Sequence, residues 1–148
     1  MKSPLSPRLL LAASLALFGV AATSSAAPNP KAPNPVQHEM QLLQTAMQDA
    51  VAAIANGDVR GLPKKLHAVH LASGDTKKKV KSGAYRLPHN AERVDEFIAL
   101  DDAFHTEMIQ MVKAAKKNDV ATTAQHFGGL MNRCNACHAV FKAPAKAK

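Results

Sequence analysis

The sequence predicts an all-α chain folded as an antiparallel, up-down-up-down four-helix bundle. Three observations carry that expectation. Apolar residues recur at spacings of three and four through four separate segments, breaks rich in Gly, Asn, Asp and Pro divide those segments, and no stretch alternates polar and apolar residues as a half-buried strand would. Two short connections and one longer one favour antiparallel neighbours.

The first helix is expected to start at Pro35. Residues 27 to 35 form an extended, Pro-rich lead-in. Asn34 then serves as N-cap, Pro35 fits the first helical position, and Gln37 stands where a loose capping box needs an amide. Val36, Met40, Leu43, Met47, Val51 and Ile54 make one apolar stripe, and Asn56 with Gly57 ends the run. The second helix is read over residues 59 to 73, with Leu62, Leu66, Val69 and Ala72 facing inward. Pro63 is tolerated only in a first turn, which moves the start toward Gly61. Residues 74 to 89, with Gly74, Lys77, Lys78, Lys79, Lys81, Gly83 and Pro88, are expected to be a solvated loop.

The third helix is expected from Asn90 to Lys117, with Phe97, Ile98, Asp101, Phe104, Met108, Met111, Val112 and Ala115 on its inner side. Asp101 is the polar exception in that set. Asn118 and Asp119 form a tight break, and Asp119 caps the fourth helix. There Val120, Ala124, Phe127, Met131, Cys134, His138 and Phe141 define the inner stripe, and Pro144 stops the helix after Ala143.

The chain of 148 residues is 47% hydrophobic, yet aromatic residues make up only 4% and Trp is absent. Its core must be built from Ala, Leu, Val and Met, which leaves room for a bulky apolar group supplied from outside. Lys2 and Arg8 precede an apolar run from Leu9 to Val20 and small residues at Ser24, Ser25 and Ala26, the pattern of an export signal. Cleavage after Ala26, or alternatively after Ala22, leaves a single domain over residues 27 to 148 outside the cytoplasm, in the periplasm. That apolar run is too short for a comfortable membrane span. The formal charge of +8 falls to +6 once Lys2 and Arg8 are removed. Basic residues cluster at Lys77, Lys78, Lys79 and Lys81, at Lys113, Lys116 and Lys117, and at Lys142, Lys146 and Lys148. Solvated faces account for such clusters, and docking to an acidic partner protein is the sharper alternative. Nucleic acid is not expected, because no aromatic residues are interleaved with the lysines.

Chemistry concentrates in Cys134, Asn135, Ala136, Cys137 and His138, a C-x-x-C-H sequence, the attachment signature of c-type haem. Two thiols one helical turn apart can add across two vinyl groups, and the imidazole that follows reaches the iron. These are the only cysteines in the chain. A thioredoxin-type pair would need a preceding strand, a zinc finger would need a fourth ligand at other spacing than His126 offers, and a structural disulfide would close too small a ring to contribute much. His67 and His70 lie a turn apart but make an incomplete metal site. His38, His89, His105 and His126 lack ligand-type companions at helical spacing. Met40, Met47, Met108, Met111 and Met131 fall on inner stripes, where packing is the default role.

Only ten residues follow His138, so a sixth iron ligand must come from upstream. An export signal, four helices and a C-x-x-C-H motif followed by Phe141 and Lys142 at the C-terminal end resemble the class II cytochromes c, the family of cytochrome c′ and its low-spin c-556 relatives. That resemblance implies one haem c inside the bundle, thioether bonds at Cys134 and Cys137, and His138 as proximal ligand. It also implies either a Met at the sixth position or an open, gas-binding iron, and often a homodimer. A glycine common just before the first Cys in relatives is replaced here, where Met131, Asn132 and Arg133 stand.

Helix geometry points to Met40 as the sixth ligand. Met40 lies five residues after Pro35 and His138 five before Ala143, so in an antiparallel pair both stand roughly 7.5 Å from one end. Met47 lies about 10 Å deeper, and His38 is rotated by roughly 200° away from Met40. The expected function is electron transfer by a His- and Met-ligated haem, with a five-coordinate cytochrome c′ that binds NO or CO as the alternative. A haem-free helical binding or metal-handling protein is a third possibility. No constellation of acid, base and nucleophile suggests an enzyme.

Overall fold

A computed structural model describes residues 34–142. The expected export signal at 1–26, most of the lead-in, and Ala143 with Pro144 lie outside the described residues. Four helices follow in order: α1 (Pro35–Ala55), α2 (Leu62–Lys81), α3 (Val94–Lys116) and α4 (Val120–Phe141), with no strand among the described residues.

The caps explain where α1 and α4 begin. The Asn34 side chain accepts the Gln37 backbone N–H at 3.1 Å, and Asp119 accepts that of Thr122 at 3.0 Å, each satisfying a donor that the first turn leaves free. Gly57 ends α1 at φ +72°, and Asn118 turns the chain between α3 and α4 at φ +54°. The Asn118 side chain also accepts the Val59 N–H at 3.0 Å, tying the two loops at that end together.

Cross-helix contacts give the topology. Lys65 of α2 pairs with Asp49 of α1, while Thr76 near the end of α2 donates to the Pro35 carbonyl at the start of α1. Ser73 and Lys77 of α2 reach Asp101 and Asp102 early in α3. Phe97, early in α3, meets Phe141 at the end of α4 edge to face at 5.4 Å, and Glu107 meets His126 further along. Each successive helix therefore runs opposite to the last, as the up-down-up-down expectation requires. The packing is closest between α3 and α4 and between α1 and α2, and slightest between α1 and α4.

Three expectations need correction. First, residues 74 to 81 are helical, because Ser73, Thr76 and Val80 prolong the buried line of Leu62, Leu66 and Val69. Ser73 and Thr76 are buried with partners, at 2.8 Å to Asp101 and 3.2 Å to Pro35, so their polarity does not interrupt the inner face. The lysines belong to the outer side, where Lys79 pairs with Asp75 one turn away. Second, α3 starts at Val94 and not at Asn90, which has φ +49° and donates its amide to the Val140 carbonyl, and α4 ends at Phe141, since Lys142 is already extended. Third, the apolar stripes of α1 and α4 are rotated from the buried ones. Val51 is 54% exposed and Met131 41%, while neighbouring Ala50 and Leu130 are fully buried. The flanks that carry Met40, Met47, Met131 and His138 border a second space instead.

The main core joins Leu43, Ala46, Ala50, Leu62, Leu66, Val69, Met108, Met111, Ala115 and Leu130. A smaller cluster of Val80, Leu87, Phe97, Ile98 and Phe141 closes the end where α1 begins and α4 finishes. No helix among the described residues is long and apolar enough to cross a membrane.

Candidate haem-binding site

Where α1 and α4 stand apart, a cavity of about 820 Å³ opens beside the smaller cluster. That volume lies within the range of roughly 300–1,000 Å³ usual for cofactor sites. Met40, Leu43 and Met47 of α1 form one wall, Met131, Cys134, Cys137 and His138 of α4 the other, and Phe97, Leu100 and Phe104 of α3 the back. All four residues expected to hold a haem, Cys134, Cys137, His138 and Met40, thus line one space.

Helical geometry orders the three motif residues. At about 100° per residue, Cys134 and Cys137 fall toward α3 and are half-buried, while His138 is carried round to the flank that borders the cavity. His138 is exposed there, not buried on the inner stripe as the periodicity suggests. Both cysteines are free. Burial pushes the Cys134 thiol up, and it pushes Cys137 up to about 11 with help from the nearby carboxylates of Asp101 and Glu39. The thiols are therefore neutral and suited to an apolar partner surface. Partial desolvation in the cavity wall, with Lys142 beside it, lowers the pKa of His138, so its imidazole is neutral and its lone pair is available to a metal.

The mouth is polar. Gln37, Gln41, Gln44 and Gln48 follow one edge of α1, Arg133 stands on α4 and Lys142 just past its end. An interior that is apolar apart from Glu39 and Asp101 at its back, with two thiols, an imidazole and a thioether, and with amide and cationic groups at the rim, suits a flat apolar macrocycle bearing acidic substituents.

The sequence reading missed three residues near this cavity. Glu39 is only 2% exposed, and its carboxylate lies 3.3 Å from Nε2 of His105; Asp101 lies 3.4 Å from the same atom. Burial opposes the charge on His105, but hydrogen bonds to Asp101 and Glu39 outweigh it and raise the pKa to about 9. Burial likewise works against the Asp101 carboxylate, and His105, Ser73 and Lys77 nevertheless hold its pKa below the ordinary value. The expectation that His105 lacks companions at helical spacing is therefore wrong: Asp101 precedes it by one turn, a signal present in the sequence. The partnership with Glu39 crosses the bundle and leaves no such local trace. His126 is paired as well, at 2.7 Å to Glu107 of α3.

A family model described as Cytochrome C′ matches residues 36–142, which is all but the first two residues of the described chain. The chain belongs to the cytochrome c′ family. No curated protein and no solved structure gives a match. Membership means a c-type cytochrome with covalently bound haem c and its iron.

Proposed function

We propose that this cytochrome c′ family member is an exported electron carrier, not an enzyme, with one haem c bound through Cys134 and Cys137 and its iron held between His138 and Met40. The haem would supply a one-electron couple at iron. The chain's own part is to place an imidazole and a thioether on opposite walls, to exclude water with Leu43, Leu100 and Phe104, and to offer Arg133 and Lys142 to the propionates. A Met opposite His favours the reduced state and raises the reduction potential.

The single observation that supports this reading is that Met40 and His138 face one cavity from antiparallel helices at nearly the same height. Met40 lies five residues inside α1 and His138 three residues inside α4. That is a difference of about 3 Å along the axis. Met47 lies about 10 Å deeper, level with Met131, and belongs to the floor.

Residues 1–26 would direct export to the periplasm, and residues 27–148 would be the mature domain. The exposed lysines and Arg133 suit docking to an acidic redox partner. The test compares Met40→Leu with Met47→Leu in haem-loaded protein. Met40→Leu should convert a low-spin spectrum to high-spin and admit carbon monoxide, and Met47→Leu should do neither. A wild-type protein that is already high-spin and binds carbon monoxide would overturn the His and Met ligation in favour of gas binding.

A further inference from the structure

We propose that Glu39, Asp101 and His105 bind one divalent transition-metal ion, zinc being the best match, beside the haem cavity and independently of the haem iron. Glu39 comes from α1, and Asp101 and His105 from adjacent turns of α3. Their side chains are 2%, 9% and 6% exposed, and one ligand atom from each lies within 4.8 Å of the other two.

The distances in this group are longer than those of most ion pairs in the bundle. The pairs Lys65–Asp49, Lys79–Asp75, Arg93–Glu96 and His126–Glu107 close to 2.6–2.7 Å. Charge-assisted hydrogen bonds usually fall near 2.7–2.9 Å. His105 Nε2 instead stands 3.3 Å from Glu39 and 3.4 Å from Asp101. A tetrahedral site with metal–ligand bonds of about 2.0–2.2 Å has ligand-to-ligand edges of roughly 3.3–3.5 Å. A single Nε2–H shared between both carboxylates makes two long bonds, whereas a metal ion between the three atoms satisfies all of them.

Charge and burial agree with this assignment. Two carboxylates and a neutral imidazole neutralise a divalent ion away from water. Without the ion, His105 is an imidazolium shared between the two carboxylates. Lys77 touches Asp101 at 3.4 Å but is held at 2.6 Å by Asp102 on the outside. Oxygen donors with one imidazole and no sulfur suit zinc, manganese or ferrous iron, and a set of only three protein ligands is a usual zinc arrangement. Glu39 and Asp101 also border the cavity, which supplies an entry path before the haem fills it. Because the ion must displace a proton from His105, binding weakens as pH falls.

The test uses haem-loaded protein from cells grown with added zinc, dialysed against a weak chelator and analysed for zinc and iron together. Near-stoichiometric zinc relative to iron is expected in the wild type and in the His67→Ala/His70→Ala variant, with nearly all of it lost in Glu39→Gln and in His105→Gln. Zinc K-edge absorption of the wild type should show a single imidazole, oxygen donors and no sulfur; this reading stands even if a variant fails to fold. Wild type that retains no zinc, zinc retained undiminished in folded His105→Gln, or a sulfur-containing shell would overturn the site. The iron content reports on haem attachment separately, so failure of the zinc site and failure of the haem reading are distinguishable.

Discussion

The two ends of the bundle share one helical periodicity and use it differently. At the end where α1 turns into α2, Ala46, Ala50 and Ala115 let the helices approach, and Leu62, Leu66, Met111 and Leu130 fill what space remains. At the end where α1 begins and α4 finishes, Met40, Met131, Cys134 and His138 face one another across a cavity, with Glu39, Asp101 and His105 buried behind it. Small residues close one end because they shorten the interhelical distance. Larger and polar ones hold the other apart, so an end that looks equally amphipathic in sequence depends on what enters it.

The largest effect that would break this comparison is removal of the covalent anchor. Cys134→Ala with Cys137→Ala should leave exported protein unable to retain haem through acid and organic extraction, and its open end should lose protection from amide exchange while the Leu66 and Leu130 end keeps most of its own. Uniform loss of protection would show that the two ends form one cooperative unit. The converse change is Leu130→Ala, at a residue with no exposed surface. It should destabilise the fold by about 2–5 kcal/mol in denaturant titration while leaving the haem spectrum unchanged.

A smaller effect sharpens the electrostatic side of the contrast. The pKa of His105 is raised from 6.5 to about 9, so its contribution is fully present below pH 6.5 and is lost as pH rises through about 9. Zinc-free protein should lose about 3 kcal/mol of stability over that window, and His105→Gln should flatten the profile. An equally steep profile in the variant would place the titration elsewhere. The smallest expected effect is at the cap: Asn34→Ala removes the acceptor for the Gln37 N–H at the open end and should cost about 1 kcal/mol, with a slight weakening of haem retention.

How far the sequence reaches differs between these ends. The helices, the caps at Asn34 and Asp119, and the C-x-x-C-H motif are local features and were legible as such. The last two turns of α2 were not, because Ser73 and Thr76 read as polar until Asp101 and the Pro35 carbonyl are seen to receive them. Val51 reads as core because it outweighs the small Ala50 beside it, and Met131 because it fits the spacing between Phe127 and Cys134 as well as Leu130 does, whereas close packing selected Ala50 and Leu130. Asp101 with His105 was visible as a pair one turn apart, but nothing in the chain marked Glu39 as their third member.

By itself the sequence determined the number and order of helices, their antiparallel sense through short connections, and a haem-attachment motif on the last of them. These follow from hydrogen bonding and side-chain spacing within a few residues of chain. Only the tertiary structure decided where the core stops and the cavity begins, that Met40 and His138 share it, and that Glu39 reaches His105 across the bundle. Those outcomes depend on how far apart whole helices stand, which the volumes of facing side chains set together and no single segment encodes.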